Sequence, residues 1–166
     1  MSKIIEILTN EHDNIASFIE DLRKKCLKFM VEDTIDIEEM KKAVDFIKEY
    51  ADDRHHKKEE QILFKAMTDN LGTRAENLIK HGMLVEHDMA RLQTQELEKA
   101  VNAYEKDKSH ENKLDLISYA MGYCYLLKRH IDKENGAVYP FGEKNLPDNI
   151  MNELDKAAVI YEKAYE

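Results

Sequence analysis

Apolar side chains recur along the chain three or four positions apart, the spacing of one face of an α-helix. The first stripe runs Ile5, Ile15, Ile19, Leu22, Cys26 and Leu27 and predicts a helix over roughly residues 2–30. Residues 31–34 form a connection, and Thr34 or Asp36 is placed to cap a second helix reaching about Met67. Asn70-Leu71-Gly72 is a break, after which Thr73-Arg74-Ala75-Glu76 reads as a capping box opening a third helix to about Tyr104. A polar turn ends in Ser109, an N-cap for a fourth helix that closes by Pro140. Pro147-Asp148 then opens an amphipathic tail carrying Ile150, Leu154, Val159 and Ile160. Each long helix spans on the order of 45 Å. Short connections make sequence neighbours antiparallel. The pattern therefore predicts an all-α, up-down-up-down antiparallel four-helix bundle with a short C-terminal helix.

Composition supports this. Five glycines and two prolines in 166 residues are too few for an all-β fold with its frequent turns, and both prolines lie beyond residue 139. The length suits one domain over residues 1–166, with no linker long enough to divide it. The net charge of −9 and the lack of a basic stripe argue against nucleic acid as a partner. No run approaches the ~20 apolar residues of a membrane span, and the N-terminus lacks a signal-peptide core. Cys26 and Cys124 are isolated on apolar faces and read as buried free thiols. A cytoplasmic protein, monomer or homodimer, is expected.

Histidine changes the picture. Shifting the chain against itself by 75 residues places Glu11-His12-Asp13 on Glu86-His87-Asp88, His55 on His130, and Lys58-Glu59 on Lys133-Glu134. With only seven histidines in the chain, this coincidence marks two copies of one helical hairpin, residues 1–70 and 73–145, followed by a tail helix over 147–166. Each copy supplies a lone histidine on its first helix and a His-x-x-x-Glu on its second. Residues i and i+4 share a helix face, so His55 with Glu59 and His130 with Glu134 each present an imidazole and a carboxylate to one point. Antiparallel packing puts His12 and His87 at the same level. Such donors suit iron, manganese or zinc, and two related half-sites make a dinuclear centre natural.

The second helix offers two histidines. At 3.6 residues per turn, Met40, Val44, Ile47, Ala51, Ile62 and Ala66 share the face of His55, whereas Lys48, Glu49, Asp52 and Asp53 share that of His56. His55 and Glu59 are thus read as inward, and His56 and Glu60 as nearer the surface. A lone histidine on an apolar face is ordinarily a hydrogen-bonded core residue. Four inward histidines with two inward glutamates are different, because burying carboxylates without counter-charge is very costly. No inward Arg or Lys is placed to pair with both, and divalent metal ions account for them most simply. His81 and His110 are read as peripheral, and the Lys and Glu runs as solvated faces.

At these residues the sequence resembles the hemerythrin-like, HHE cation-binding family. His55-His56-Lys57-Lys58-Glu59-Glu60-Gln61-Ile62-Leu63-Phe64 looks like its signature, His130-Ile131-Asp132-Lys133-Glu134 with Val138-Tyr139-Pro140 is similar to the second copy, and Met83-Leu84-Val85-Glu86-His87-Asp88 to its third-helix pattern. The resemblance implies a non-haem diiron centre. His12 and His55 would bind one iron, His87 and His130 the other, and Glu59 and Glu134 would bridge them with an oxo or hydroxo group. Manganese or zinc fits the same ligands. Two positions depart from the oxygen carriers of that family: Met83 stands where they have a further histidine, and Asn135 where they have an aspartate. The implied centre has four histidines in place of five and more open metals. Ferritin-like ligation through Glu-x-x-His is disfavoured, since no histidine here has Glu three residues before it.

The expected function is binding, sensing or reduction of oxygen, peroxide or nitric oxide, with Tyr123 as a hydrogen-bond donor or a packing residue. Iron storage, donation or repair is the alternative, as is a structural metal site in a partner-binding module.

Overall fold

The computed structural model describes residues 1–165. Helix α1, Lys3–Glu32, ends at Asp33, whose left-handed backbone (φ 57°) turns its N–H onto the Phe29 carbonyl at 3.1 Å. Helix α2 (37–70) opens on Asp36, which accepts the Glu39 N–H at 3.1 Å. Its backbone widens into π-helical turns over Ile47–His56 and Glu59–Phe64.

Helix α3 (72–106) follows, and the expected capping box does not form. The helix already begins at Gly72 with no side-chain cap. Gly72 takes φ 65°, which costs glycine nothing because it has no Cβ, and Glu76 pairs forward with Lys80 at 2.9 Å. Ser109 caps α4 (110–145) as expected, accepting the Asn112 N–H at 3.3 Å. That helix does not end at Pro140 but continues to Asn145. A π-helical turn over Glu134–Val138 precedes the proline, so the missing N–H falls where the regular ladder has already been widened.

Helix α5, Asp148–Glu162, lies against α1 and α2 and ends in a 3₁₀ turn, Lys163–Tyr165. Glu166, the last residue of the expected tail helix, lies outside the described residues. The tail buries Leu154 and Ala158, while Val159 and Ile160, read above as part of its apolar face, are 43 % and 67 % exposed. Leu27 is likewise exposed, and Phe29 takes its place in the core.

The four long helices enclose two apolar layers. One contains Ile15, Ala51, Ala90, Leu127 and Ile131. The other contains Leu8, Leu63, Met83, Val138 and Tyr139. On every helix the histidines and glutamates singled out above fall between these layers, so the fold carries a polar floor across an otherwise apolar interior. Cys26 and Cys124 are buried free thiols, and burial raises them to about 11 and about 12.

Candidate metal centre

His12, His55, Glu59, His87, His130 and Glu134 all reach this floor, and each is at most 2 % exposed. A seventh residue joins them. His56 is 2 % exposed, and its ring stacks on His87 at 3.9 Å between centroids. Placing His56 near the surface is therefore wrong, and the cause is local. The phase used for that reading assumes a regular α-helix, but Ile47–His56 is π-helical. The wider turn lets adjacent side chains share one broad inward face. His55 then turns toward His12 (4.6 Å) and His56 toward His87 and His130. The repeat could not reveal it, because position 56 falls on Ile131.

The donors form two groups, His12–His55–Glu59–Glu134 and His56–Glu59–His87–His130, with the donor atoms of each within 4.8 Å of one another. Both glutamates span the groups. Glu134 lies 3.1 Å from His12, 3.2 Å from His130 and 3.8 Å from His87. Glu59 lies 3.6 Å from His55 and 3.4 Å from His87.

Each of the five imidazoles is held from behind through Nδ1. Glu11 accepts from His55 at 2.9 Å and Glu86 from His130 at 2.9 Å. Glu60 accepts from His87 at 2.7 Å and Asn135 from His12 at 2.9 Å. Asp52 accepts from His56 at 3.3 Å. With the proton on Nδ1, the Nε2 lone pair points inward, the arrangement usual for metal-bound histidine. The first four braces obey the 75-residue repeat, Glu11 with Glu86 and Glu60 with Asn135, a signal the sequence contained.

The inner atoms provide a test of fit. The Nε2 atoms of His55, His56, His87 and His130, one Glu59 oxygen and both Glu134 oxygens are buried without a hydrogen-bond partner. Buried polar atoms left without a partner cost about 1–3 kcal/mol each; a cation among them satisfies the carboxylates and the neutral imidazoles of His55 and His56, and takes the place of the protons on His87 and His130. The residues present therefore fit metal ions. Seven donors exceed the four of a single tetrahedral zinc site and suit two ions. The supply is uneven, since one group has two histidines and the other three. His56 thus supplies a fifth histidine where Met83 left the expected count at four.

Tyr139 occupies the poorer side. Its hydroxyl donates to Glu59 at 2.5 Å and lies 3.2 Å from His12 Nε2. In the sequence Tyr139 stands out only within Val138-Tyr139-Pro140, which assigns it no role at the metal. Tyr123 is fully buried but has no hydrogen-bond partner.

The electrostatics divide the histidines. Burial lowers His55 well below the ordinary imidazole range and brings His56 down to about 3. Burial also opposes charge on His87 and His130, but the carboxylates of Glu134, Glu59, Glu60 and Glu86 outweigh it. His87 is well raised, and His130 rises to about 9. Burial raises Glu134 less than the neighbouring histidines, His130 first, lower it, and its net shift is well below the usual range.

Lys58, read above as part of a solvated run, is fully buried. It pairs with Glu11 and with Glu162 of α5, while Arg54 reaches the same carboxylates at 3.3 and 2.5 Å. The symmetry-related Lys133, paired with Glu86, is half exposed because no tail helix covers it. Lys58→Met is expected to cost about 1–3 kcal/mol, because Glu11 and Glu162 keep Arg54 but lose their buried hydrogen-bonding partner. Lys133→Met should cost about 1 kcal/mol or less. Urea midpoints of the two variants measure the difference, and equal shifts would contradict a structural role for the tail helix.

The hemerythrin HHE cation-binding domain matches residues 3–142 of the chain. The protein belongs to that family, whose domain binds metal cations, and its buried His/Glu groups are placed to hold them. No curated protein and no solved structure gives a significant match. Among the described residues, no helix is long and apolar enough to cross a membrane.

Proposed function

We propose that the chain is a non-haem diiron protein that binds, senses or reduces a small molecule, namely oxygen, nitric oxide or peroxide. The observation that carries this reading is the uneven division of histidines: of five inward imidazoles, one group has two and the other three, with Glu59 common to both and Glu134 within 3.8 Å of His87 and His130. Imidazole with carboxylate suits iron, and iron at these donors supplies redox and ligand-binding chemistry toward such molecules. The chain's own residues do the rest. The two apolar layers exclude water from the floor. Glu11, Glu60, Glu86, Asp52 and Asn135 fix the rings. Tyr139 holds a proton 2.5 Å from Glu59, on the side with fewer histidines. Its hydroxyl can give that hydrogen bond to an incoming molecule, since burial and both inner carboxylates keep it protonated far above the ordinary phenol range.

The test is metal analysis and optical spectroscopy of natively purified protein. About two irons per chain, an oxo-bridge charge-transfer band, and a spectral change when nitric oxide meets the anaerobically reduced protein are expected. Fully loaded iron that answers to none of the three small molecules would overturn the reading. Iron passing readily to an apo-acceptor would favour storage or repair, and an unreactive zinc pair a structural site.

A further inference from the structure

A cavity of about 200 Å³ lies beside the metal floor, between α2, α3 and α4. Ile47, Ala90, Thr94 and Tyr123 wall it, and the buried His56 forms part of its lining. Asp52 and Arg91, each about 30 % exposed, stand at its outer side. At about 30 Å³ per water, the space suits a molecule of a few heavy atoms.

Two features give it chemical character. The first is Tyr123, fully buried, whose hydroxyl finds no hydrogen-bond partner among the described residues. The Thr94 hydroxyl is already committed to the Ala90 carbonyl at 2.7 Å. Among the described residues Tyr123 is thus the buried donor of this wall left without a partner, while the Gln95 amide lies exposed at the outer side. The second is the mouth. Arg91 is saturated by Asp52 at 2.9 Å, Glu60 at 2.8 Å and Asp88 at 3.2 Å, and Lys48 is paired with Glu98 at 2.6 Å. Both cations at the rim are taken and carboxylates outnumber them, so the mouth repels anions.

We propose that this cavity is the antechamber through which a small neutral molecule, diatomic or the size of hydrogen peroxide, enters the metal floor past His56, with the Tyr123 hydroxyl as its hydrogen-bond donor on the way in. The proposal rests on the small-molecule reading above. Inside the chamber the apolar walls favour a neutral guest over water, and the phenol favours one that accepts a hydrogen bond.

Xenon under pressure tests the chamber without metal or turnover, since apolar cavities of this size take xenon. Crystals of the metal-free protein should show xenon between Ala90 and Tyr123, and Thr94→Phe should remove it. In the iron-loaded, reduced protein, Thr94→Phe should slow nitric oxide association at least tenfold by stopped flow, with iron content and resting spectrum unchanged. Ala90→Leu, a milder filling, serves if Thr94→Phe does not fold. Tyr123→Phe should slow the optical response to hydrogen peroxide about fivefold, the worth of one neutral hydrogen bond, and that to nitric oxide less than twofold. Absence of xenon from the wild type, unchanged association in the filled variants, or equal effects of Tyr123→Phe on both probes would overturn the proposal. If the loaded wild type binds none of these molecules, the small-molecule reading itself falls, a result distinct from binding that the filled variants leave untouched.

Discussion

Glu134→Ala is expected to lose nearly all bound metal while the chain stays helical. Glu134 is fully buried and lies within 3.8 Å of three histidines drawn from both donor groups. Its loss therefore weakens both ions together, whereas loss of any one histidine weakens one. Changes merely behind a ligand cost 10- to 100-fold in metal affinity, so removing a shared ligand should cost at least roughly 100-fold. Without metal the same carboxylate is the anion that holds His87 and His130 in their charged forms. The variant should then also lose about 3–5 kcal/mol of metal-free stability, the penalty for breaking a buried charge pair on one side. Glu134→Gln separates the two effects, because it keeps the volume and one acceptor oxygen but removes the charge. Metal per chain by elemental analysis and denaturation midpoints with and without chelator give both numbers. Unchanged metal content in Glu134→Ala would refute the ligand assignment.

The bundle and six of the seven inward donors were legible in the sequence because both rest on periodicity. Apolar spacing marks helix faces, and the 75-residue offset aligns two hairpins through His12, His55, Glu59 and their partners. What escaped lies where the period itself changes. His56 was misplaced because a π-helical turn alters the phase of α2 at the residues that matter. Pro140 was read as a stop because the π-helical turn before it carries no clear mark in composition. Lys58 escaped for another reason: its burial depends on α5 covering one hairpin and not the other. That asymmetry belongs to tertiary packing, and no repeat or local pattern encodes it. The braces behind the histidines were within reach, since Glu11 and Glu86 already matched at the repeat offset.

Stripping the metal is expected to destabilise the protein strongly, and more so in alkaline than in mildly acidic solution. A single ion held at a free concentration 1,000 times its Kd contributes about 4 kcal/mol, and at 2–4 °C per kcal/mol for a chain of this size the melting point should fall by roughly 8–16 °C. The pH dependence follows from the protons that replace the metal. In the metal-free chain His130 is raised to about 9 by Glu134 and Glu86 against the opposing effect of burial. A raised histidine contributes stability that is complete below its unfolded value of about 6.5 and lost as pH climbs through about 9. The metal-loaded chain has no proton to lose at His130 Nε2, so it keeps its stability over that window. His55 and His56, lowered by burial, act in the other direction: below about pH 6.5 the unfolded chain takes up their protons and both forms weaken alike. The gap between loaded and stripped protein should therefore widen steadily from pH 6.5 to 9, as calorimetric melts at half-unit steps will show. A gap that stays constant or narrows over that range would mean that the metal does not displace the His130 proton.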